Sequence, residues 1–218
     1  LLTPLVERGV IEDLLLCEDR EVRSGAASAV AKLGLANKDL SSDEGQIFGL
    51  LQVAAELLMD TEGKDASVQR DEVLRRRNWS PSESSAVDRG VEVLSYLCSK
   101  TNIKEEIAHG FKIPSSTSDS VLGRLVELAS LPTAGESPMA YGIATAFALI
   151  AVSNQTLREE AFSKSEITSE QYDQLQDMGK TAEEKEMEKK LQDKDSRQLV
   201  NSRISKMANA NVPRAMVK

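Results

Sequence analysis

Few residues in this sequence could perform covalent chemistry. Histidine occurs once in 218 residues, as His109. A two-histidine metal site cannot be built from one histidine, and no G-x-S-x-G stretch indicates an activated serine. His109 immediately precedes Gly110 at a predicted helix end, where a positive charge interacts favourably with the helix dipole. We therefore interpret His109 as a structural residue.

The remaining candidate for chemistry is Gly179-Lys180-Thr181, which matches the end of a phosphate-binding loop. That loop also requires a glycine five residues before Gly179, where the sequence has Gln174, and a preceding strand, which the sequence does not predict. We interpret the tripeptide as a helix stop followed by a new helix cap. The sequence thus predicts a protein that is not an enzyme and uses no metal or cofactor.

Charge and cysteine content narrow the classes of partner. The formal net charge is −8, the opposite sign from most nucleic-acid-binding proteins, and the only tight basic run is Arg75-Arg76-Arg77. No apolar run reaches the roughly 18 residues of a membrane span. Cys17 and Cys98 lie far apart in apolar helical stretches, which favours buried free thiols. With no secretory signal, we expect a cytoplasmic protein that binds neither nucleic acid nor membrane.

Apolar residues recur at helical spacing along most of the chain, whereas alternating strand patterns are scarce. Aromatic residues make up only 4% of the sequence, so the core must be built from Leu, Ala, Val and Ile, as suits stacked helices. Residues 63–84 show the weakest helical pattern, and we expect a helix end followed by a loop there. The predicted helices are Leu5–Cys17, Glu21–Leu35, Ile47–Met59, Ser85–Ser99, Ser118–Ser130, Pro138–Ser153, Thr168–Met178, Thr181–Lys194 and Asp195–Asn209.

Three of these helices share one internal pattern, counted from Gly25, Arg89 and Tyr141. Small or apolar residues follow at +1, +2, +4, +5 and +8, with Thr145 as the one polar member. A small residue at +1 allows a neighbouring helix to approach closely, and the apolar residues then fill the core. The starts lie 64 and 52 residues apart, more than the ~40–47 residues of standard armadillo repeats, so insertions are required. An irregular helical bundle is the alternative to a solenoid.

Several short motifs occur in an order that resembles the UCS family of myosin chaperones. The segment Glu21–Ala27 resembles a generic armadillo junction, and the more specific likeness covers about residues 86–218. The motifs that carry it are Asp88–Leu97, Ile103–Glu106, Ser137–Phe147, Ser153-Asn154, Val200–Ile204 and Asn211–Pro213. The resemblance implies an all-α armadillo-type solenoid, a right-handed superhelix of stacked helices.

The resemblance also implies a function and a division of the chain. Residues 1–84 would be central-region armadillo repeats, with a loop insertion near 63–84, and residues 85–218 would lead into a truncated UCS domain. Such a scaffold binds the myosin motor domain during muscle development and cooperates with the Hsp90 chaperone, mainly through a domain that this sequence lacks. The sequence starts in apolar residues without Met, so we expect a fragment of a longer protein.

Candidate partner-binding residues are Arg75, Arg76 and Trp79 in the predicted loop, and Tyr141 and Asn154 at the two ends of one repeat helix. Packing and capping are the alternative roles of Tyr141 and Asn154. The alternative function is that of a generic armadillo adaptor that binds an extended peptide or a folded partner.

Overall fold

The computed structural model describes residues 10–36, 44–59, 86–114, 119–130, 138–163 and 195–217, and these residues are almost entirely helical. Within them the only β-type pairing is an isolated antiparallel bridge between Lys112 and Ser120. The described helices are α1 (Val10–Leu15), α2 (Arg20–Ala36), α3 (Glu44–Leu57), α4 (Ala86–Leu97), α5 (Thr101–Ala108), α6 (Val121–Ala129), α7 (Pro138–Ala151), α8 (Asn154–Ser163), α9 (Arg197–Asn209) and α10 (Val212–Met216). The all-α class is confirmed.

Within the described residues, the predicted helices are confirmed to within a few residues, because their ends follow local capping chemistry. The Asp19 carboxylate accepts hydrogen bonds from the backbone N–H groups of Glu21 and Val22, so α2 begins at Arg20. The Ser120 hydroxyl accepts from the N–H of Gly123 and caps α6. Pro138 is the first residue of α7, as its missing N–H favours.

The C-terminal end of α5 also follows the sequence. His109 is its C-cap residue, and Gly110 follows with a φ of 86°, a left-handed conformation that glycine adopts without steric cost. The His109 Nδ1 atom lies 2.8 Å from the Glu105 carbonyl oxygen in the last turn of the same helix. The prediction that His109 occupies a helix end is confirmed.

Three features differ from the sequence-based expectations. Helices α5 and α8 were not predicted as separate helices, because both are short and polar on one side. Cys17 was placed inside a helix, but α1 ends at Leu15 and Cys17 lies half-buried in the turn that follows. Cys98, by contrast, is fully buried at the end of α4, and burial raises the pKa of its thiol to about 12. Both cysteines are free.

Several expectations fall outside the described residues. These are the predicted loop at 63–84, the predicted helices Thr168–Met178 and Thr181–Lys194, and the helix stop at Gly179.

Helix α4 is the centre of the described packing. It contacts α2 and α3, which precede it in the chain, and α7, which follows it. Helix α7 in turn contacts α9. Half of its residues are buried, namely Ala86, Gly90, Val91, Val93, Leu94 and Leu97. Helices α2, α4, α7 and α9 therefore form a series in which each helix packs against the next, and we refer to them as the helix series.

Close approach at the small residues of the repeat is confirmed at two of its three positions. A Cβ atom placed on Gly90 would lie 2.9 Å from the Cβ of Leu57 and 3.2 Å from the carbonyl oxygen of Ala54, both on α3. A Cβ atom on Gly142 would lie 2.8 Å from Cγ1 of Val91 on α4. Both glycines therefore permit contacts that any larger residue would prevent.

The close contact at Gly90 predicts that two glycine-to-alanine substitutions change the free energy of unfolding in opposite directions. Gly90→Ala should lower the free energy of unfolding by about 1–3 kcal/mol, because the new methyl group collides with the backbone and Cβ atoms of α3. Gly49→Ala, inside α3 with nothing within 4 Å of the added atom, should raise it by up to about 1 kcal/mol through better helix propensity. Urea denaturation measures both. Equal effects of the two substitutions would contradict the packing at Gly90.

Candidate partner-binding face and the buried polar network behind it

Tyr141 lies in the first turn of α7, and its side chain faces solvent. It is 80% exposed, the most exposed aromatic residue in the described part of the chain. The neighbouring Gly142 is turned toward Val91 of α4, and successive residues of a helix point about 100° apart. The contact at Gly142 thus directs Tyr141 away from the core. A large, rigid side chain that is left exposed in this way is suited to contact with a partner.

Asn154, the second candidate on this helix pair, is turned inward instead. Its side chain accepts a hydrogen bond from Lys104 Nζ at 2.6 Å and donates to the Ser99 carbonyl oxygen at 3.2 Å and to the Thr101 hydroxyl at 3.1 Å. These partners lie at the turn between α4 and α5 and in α5 itself. Asn154 therefore joins the start of α8 to the turn between α4 and α5. This is the role of packing and capping that the sequence analysis gave as the alternative.

Tyr141 and Asn154 do not form one site. Tyr141 lies in the first turn of α7, whereas Asn154 follows its end, and the ten residues from Tyr141 to Ala151 span about 15 Å along the helix axis. Arg75, Arg76 and Trp79 lie outside the described residues.

Arg203 of α9 is the centre of a network that the sequence analysis missed. The side chain is completely buried and donates three hydrogen bonds: from Nε to the Ile150 carbonyl oxygen at 2.8 Å, from Nη1 to Glu105 at 2.5 Å and from Nη2 to Asp195 at 2.8 Å. Each nitrogen of the guanidinium group thus serves a different segment of the chain. The guanidinium group carries its donors on three separate nitrogens and so reaches three spaced acceptors, whereas the three N–H groups of an ammonium group share one nitrogen.

Asp195 connects this arginine to the start of α8. One of its carboxylate oxygens accepts from Arg203, and the other accepts a short hydrogen bond from the backbone N–H of Asn154, the first residue of α8. A negative charge at a helix N-terminus is favourable because the first N–H groups lack partners within the helix. Asp195 therefore caps α8 from a position 41 residues further along the chain.

Lys104 is the second buried cation of the network. Its side chain is fully buried, and Nζ donates to the carbonyl oxygen of Val152 at 2.9 Å as well as to Asn154. Burial lowers its pKa to about 8, against the usual 10.5, although the nearby charge of Asp195 acts in the opposite direction. Lys104 and Arg203 together bind the carbonyl groups at the C-terminal end of α7, where cations are favoured.

A weak signal for Arg203 was present in the sequence. Val200, Arg203 and Met207 follow the three- and four-residue spacing of a helix face, which places Arg203 at a core position. Lys104 similarly lies beside Ile103 and Ile107. Neither pattern identifies the partners, since these come from segments about 50 to 100 residues away.

The contact between α2 and α4 is also polar, although it is more exposed. Arg89 Nη1 donates to the Glu21 carboxylate at 3.2 Å and to the Ser24 hydroxyl at 3.0 Å. One turn further on, Glu92 accepts from Ser28 at 2.6 Å and pairs with Lys32 at 2.8 Å.

The surroundings of Glu92 favour the charged form of its carboxyl group. Partial burial alone would raise its pKa, but hydrogen bonds from Lys32 and Ser28, together with the charges of Lys32 and Arg89, hold the pKa below its usual range. The two helices are therefore matched in register by complementary polar groups.

Two further searches bear on the kind of site present. Within the described ranges, no group of three or more His, Cys, Asp or Glu side chains is arranged to hold a metal ion. None of the helices in these ranges has the length and apolar character needed to cross a bilayer.

Comparison with known proteins found no matching protein-family model, no matching curated protein and no matching solved structure.

The central position of Asn154 leads to a direct prediction. Asn154→Ala should lower the free energy of unfolding by about 2–3 kcal/mol, because it removes three hydrogen bonds and leaves buried polar groups without partners. Gln155→Ala is the matched control, since this neighbouring exposed amide donates to the exposed Glu159 side chain and its loss should change stability by less than about 0.5 kcal/mol. Urea denaturation of both variants gives the comparison. A loss below about 1 kcal/mol for Asn154→Ala would exclude the proposed joining role.

The lowered pKa of Lys104 predicts how stability depends on pH. Between about pH 8 and pH 10.5 the unfolded chain holds a proton on Lys104 that the folded chain has released, so the contribution of Lys104 to the free energy of unfolding rises with pH. A shift of this size corresponds to about 3 kcal/mol across the interval.

Lys104→Met should lack this contribution, while the opposite contribution of the buried Cys98 thiol, whose pKa burial raises, remains in both proteins. Both proteins are unfolded with denaturant at pH 7.5, 9 and 10.5. The free energy of unfolding of the wild type, relative to that of the variant, should increase as pH rises. Parallel pH curves would refute the depressed pKa.

Proposed function

We propose that this protein is an armadillo-type solenoid that binds another protein through the exposed side of the helix series. The observation that carries this proposal is the contact of α2, α4, α7 and α9 one after another, with Tyr141 left 80% exposed on α7. Repeated helical units that pack only on their neighbours form extended surfaces that proteins use for binding. The close approach at Gly90 and Gly142, which the repeat pattern predicted, supports the same architecture.

The partner that we propose is a myosin motor domain, handled in the cytoplasm together with Hsp90. This choice rests on the resemblance of residues 86–218 to the UCS family. Binding would require no covalent chemistry and no cofactor, since the chain would act by shielding the surface of a client protein. Neither nucleic acid nor membrane is expected to bind, in keeping with a net charge of −8.

A generic armadillo adaptor is the second candidate function, favoured by the same net charge of −8. An acidic adaptor would bind an extended basic peptide through long-range attraction, so its affinity would fall steeply with salt. A motor-domain chaperone would instead suppress aggregation of the motor domain on heating. The two functions therefore differ in their preferred partner and in the salt dependence of binding.

Tyr141→Ala should weaken binding of the purified myosin motor domain by about tenfold, the effect of losing one exposed aromatic anchor. Leu16→Ala is the control, because Leu16 is 79% exposed but lies between α1 and α2 rather than on the helix series. Binding is measured by titration calorimetry, and protection by light scattering of the heated motor domain. Strong binding of a basic peptide with no binding of the motor domain would favour the adaptor.

A further inference from the structure

Helix α9 is attached to the rest of the protein in a way that differs from the other members of the helix series. Of its 13 residues only Arg203 and Met207 are buried, whereas α4 buries six of 12. Helix α10 adds Val212 and Ala215. We refer to α9 and α10 together as the C-terminal arm.

The largest fully buried side chain of the arm is a charged one, Arg203. The buried Arg203 guanidinium reaches the Ile150 carbonyl group on α7, Glu105 on α5 and Asp195 before α9. The apolar side chains that the arm buries are Met207, Val212 and Ala215, and Leu199, Val200 and Ala210 are half-buried. Burial of three apolar side chains supplies only a small part of what the core of α3 and α4 supplies.

The charges around Arg203 balance within the network. Helix α7 carries no charged residue between Pro138 and Ala151, so the charged partners of Arg203 come from α5 and from Asp195. The network contains two cations, Lys104 and Arg203, and two anions, Glu105 and Asp195. The Asp195 side chain is 5% exposed, against 20% for Glu105, so neutralising Asp195 leaves a buried positive charge with one anionic partner fewer.

We infer that the C-terminal arm is an ion-pair latch, which opens as a unit while α2, α3, α4 and α7 remain folded. The buried pair of Arg203 and Asp195 holds the latch closed. Local opening at a lower free energy than global unfolding is expected for segments with few buried apolar contacts. Opening would uncover the C-terminal end of α7 and the sides of α6 and α7 on which the arm packs. This conformational device does not depend on the identity of the partner.

Hydrogen–deuterium exchange of the intact chain tests the latch. In the wild-type protein, amides of residues 197–216 should exchange at least tenfold faster than the slowest amides of α4. Asp195→Asn, which keeps the shape of the side chain and removes its charge, should speed exchange of the arm at least another tenfold. The first turn of α8 should follow, because Asp195 caps it. Helices α2, α3 and α4 should keep their wild-type rates.

Glu21→Gln is the matched control. Glu21 pairs with Arg89 at 3.2 Å, its side chain is 63% exposed, and it lies on α2, at the opposite end of the helix series from the arm. This change removes the negative charge of an arginine–carboxylate pair and should leave exchange of the arm unchanged.

Arg203→Lys is a second variant, in case Asp195→Asn does not fold. It keeps the positive charge but cannot place donors at three positions, so exchange of the arm should again rise selectively. The latch would be refuted if the wild-type arm exchanged as slowly as α4, if either variant accelerated all helices equally, or if neither variant changed the exchange of the arm.

Discussion

The backbone carbonyl groups at the ends of buried helices impose the constraint on which the described structure depends. The last four carbonyl groups of a helix have no partner within it, and a buried carbonyl group without a hydrogen bond is costly. At the C-terminal end of α3, Arg20 donates to the Leu57 carbonyl oxygen at 2.6 Å and Arg124 to that of Leu58 at 3.1 Å. At the C-terminal end of α7, Lys104 and Arg203 play the same part. Long cationic side chains from neighbouring helices thus complete both ends.

This way of capping couples helix ends to the stacking of helices. A local cap such as Ser120 at α6 forms as soon as its own helix does. A cap supplied by Arg203 or Asp195 forms only when separate segments have already come together. The helices of this protein therefore stabilise one another through their termini as well as through apolar contact. Loss of one buried charge should consequently destabilise several segments. A buried charge pair of this kind adds specificity of arrangement at a net energetic gain that is small.

The contacts between successive members of the helix series are chemically different. Helices α2 and α4 meet through the paired polar groups around Arg89 and Glu92. Helices α4 and α7 meet through close apolar packing at Gly142 and Val91. Helices α7 and α9 meet through the buried charge of Arg203. Polar and ionic contacts specify register, whereas apolar contact supplies most of the stability. The α4–α7 contact is thus the stable centre, with more selective contacts on either side.

The sequence by itself determined the local features of this protein. Helical periodicity located the long helices, Pro138 and Gly110 marked helix ends, and the small residues of the repeat located the close contacts at Gly90 and Gly142. Each of these depends on residues within a few turns of one another, which a sequence displays directly. Only the tertiary structure decided the roles of Asn154 and Arg203, because their partners lie about 50 to 100 residues away and a polar residue at a core position does not reveal which group it meets. It also decided that Tyr141 faces solvent, since helical spacing alone gives a residue a side of the helix but does not tell which side a neighbouring helix covers.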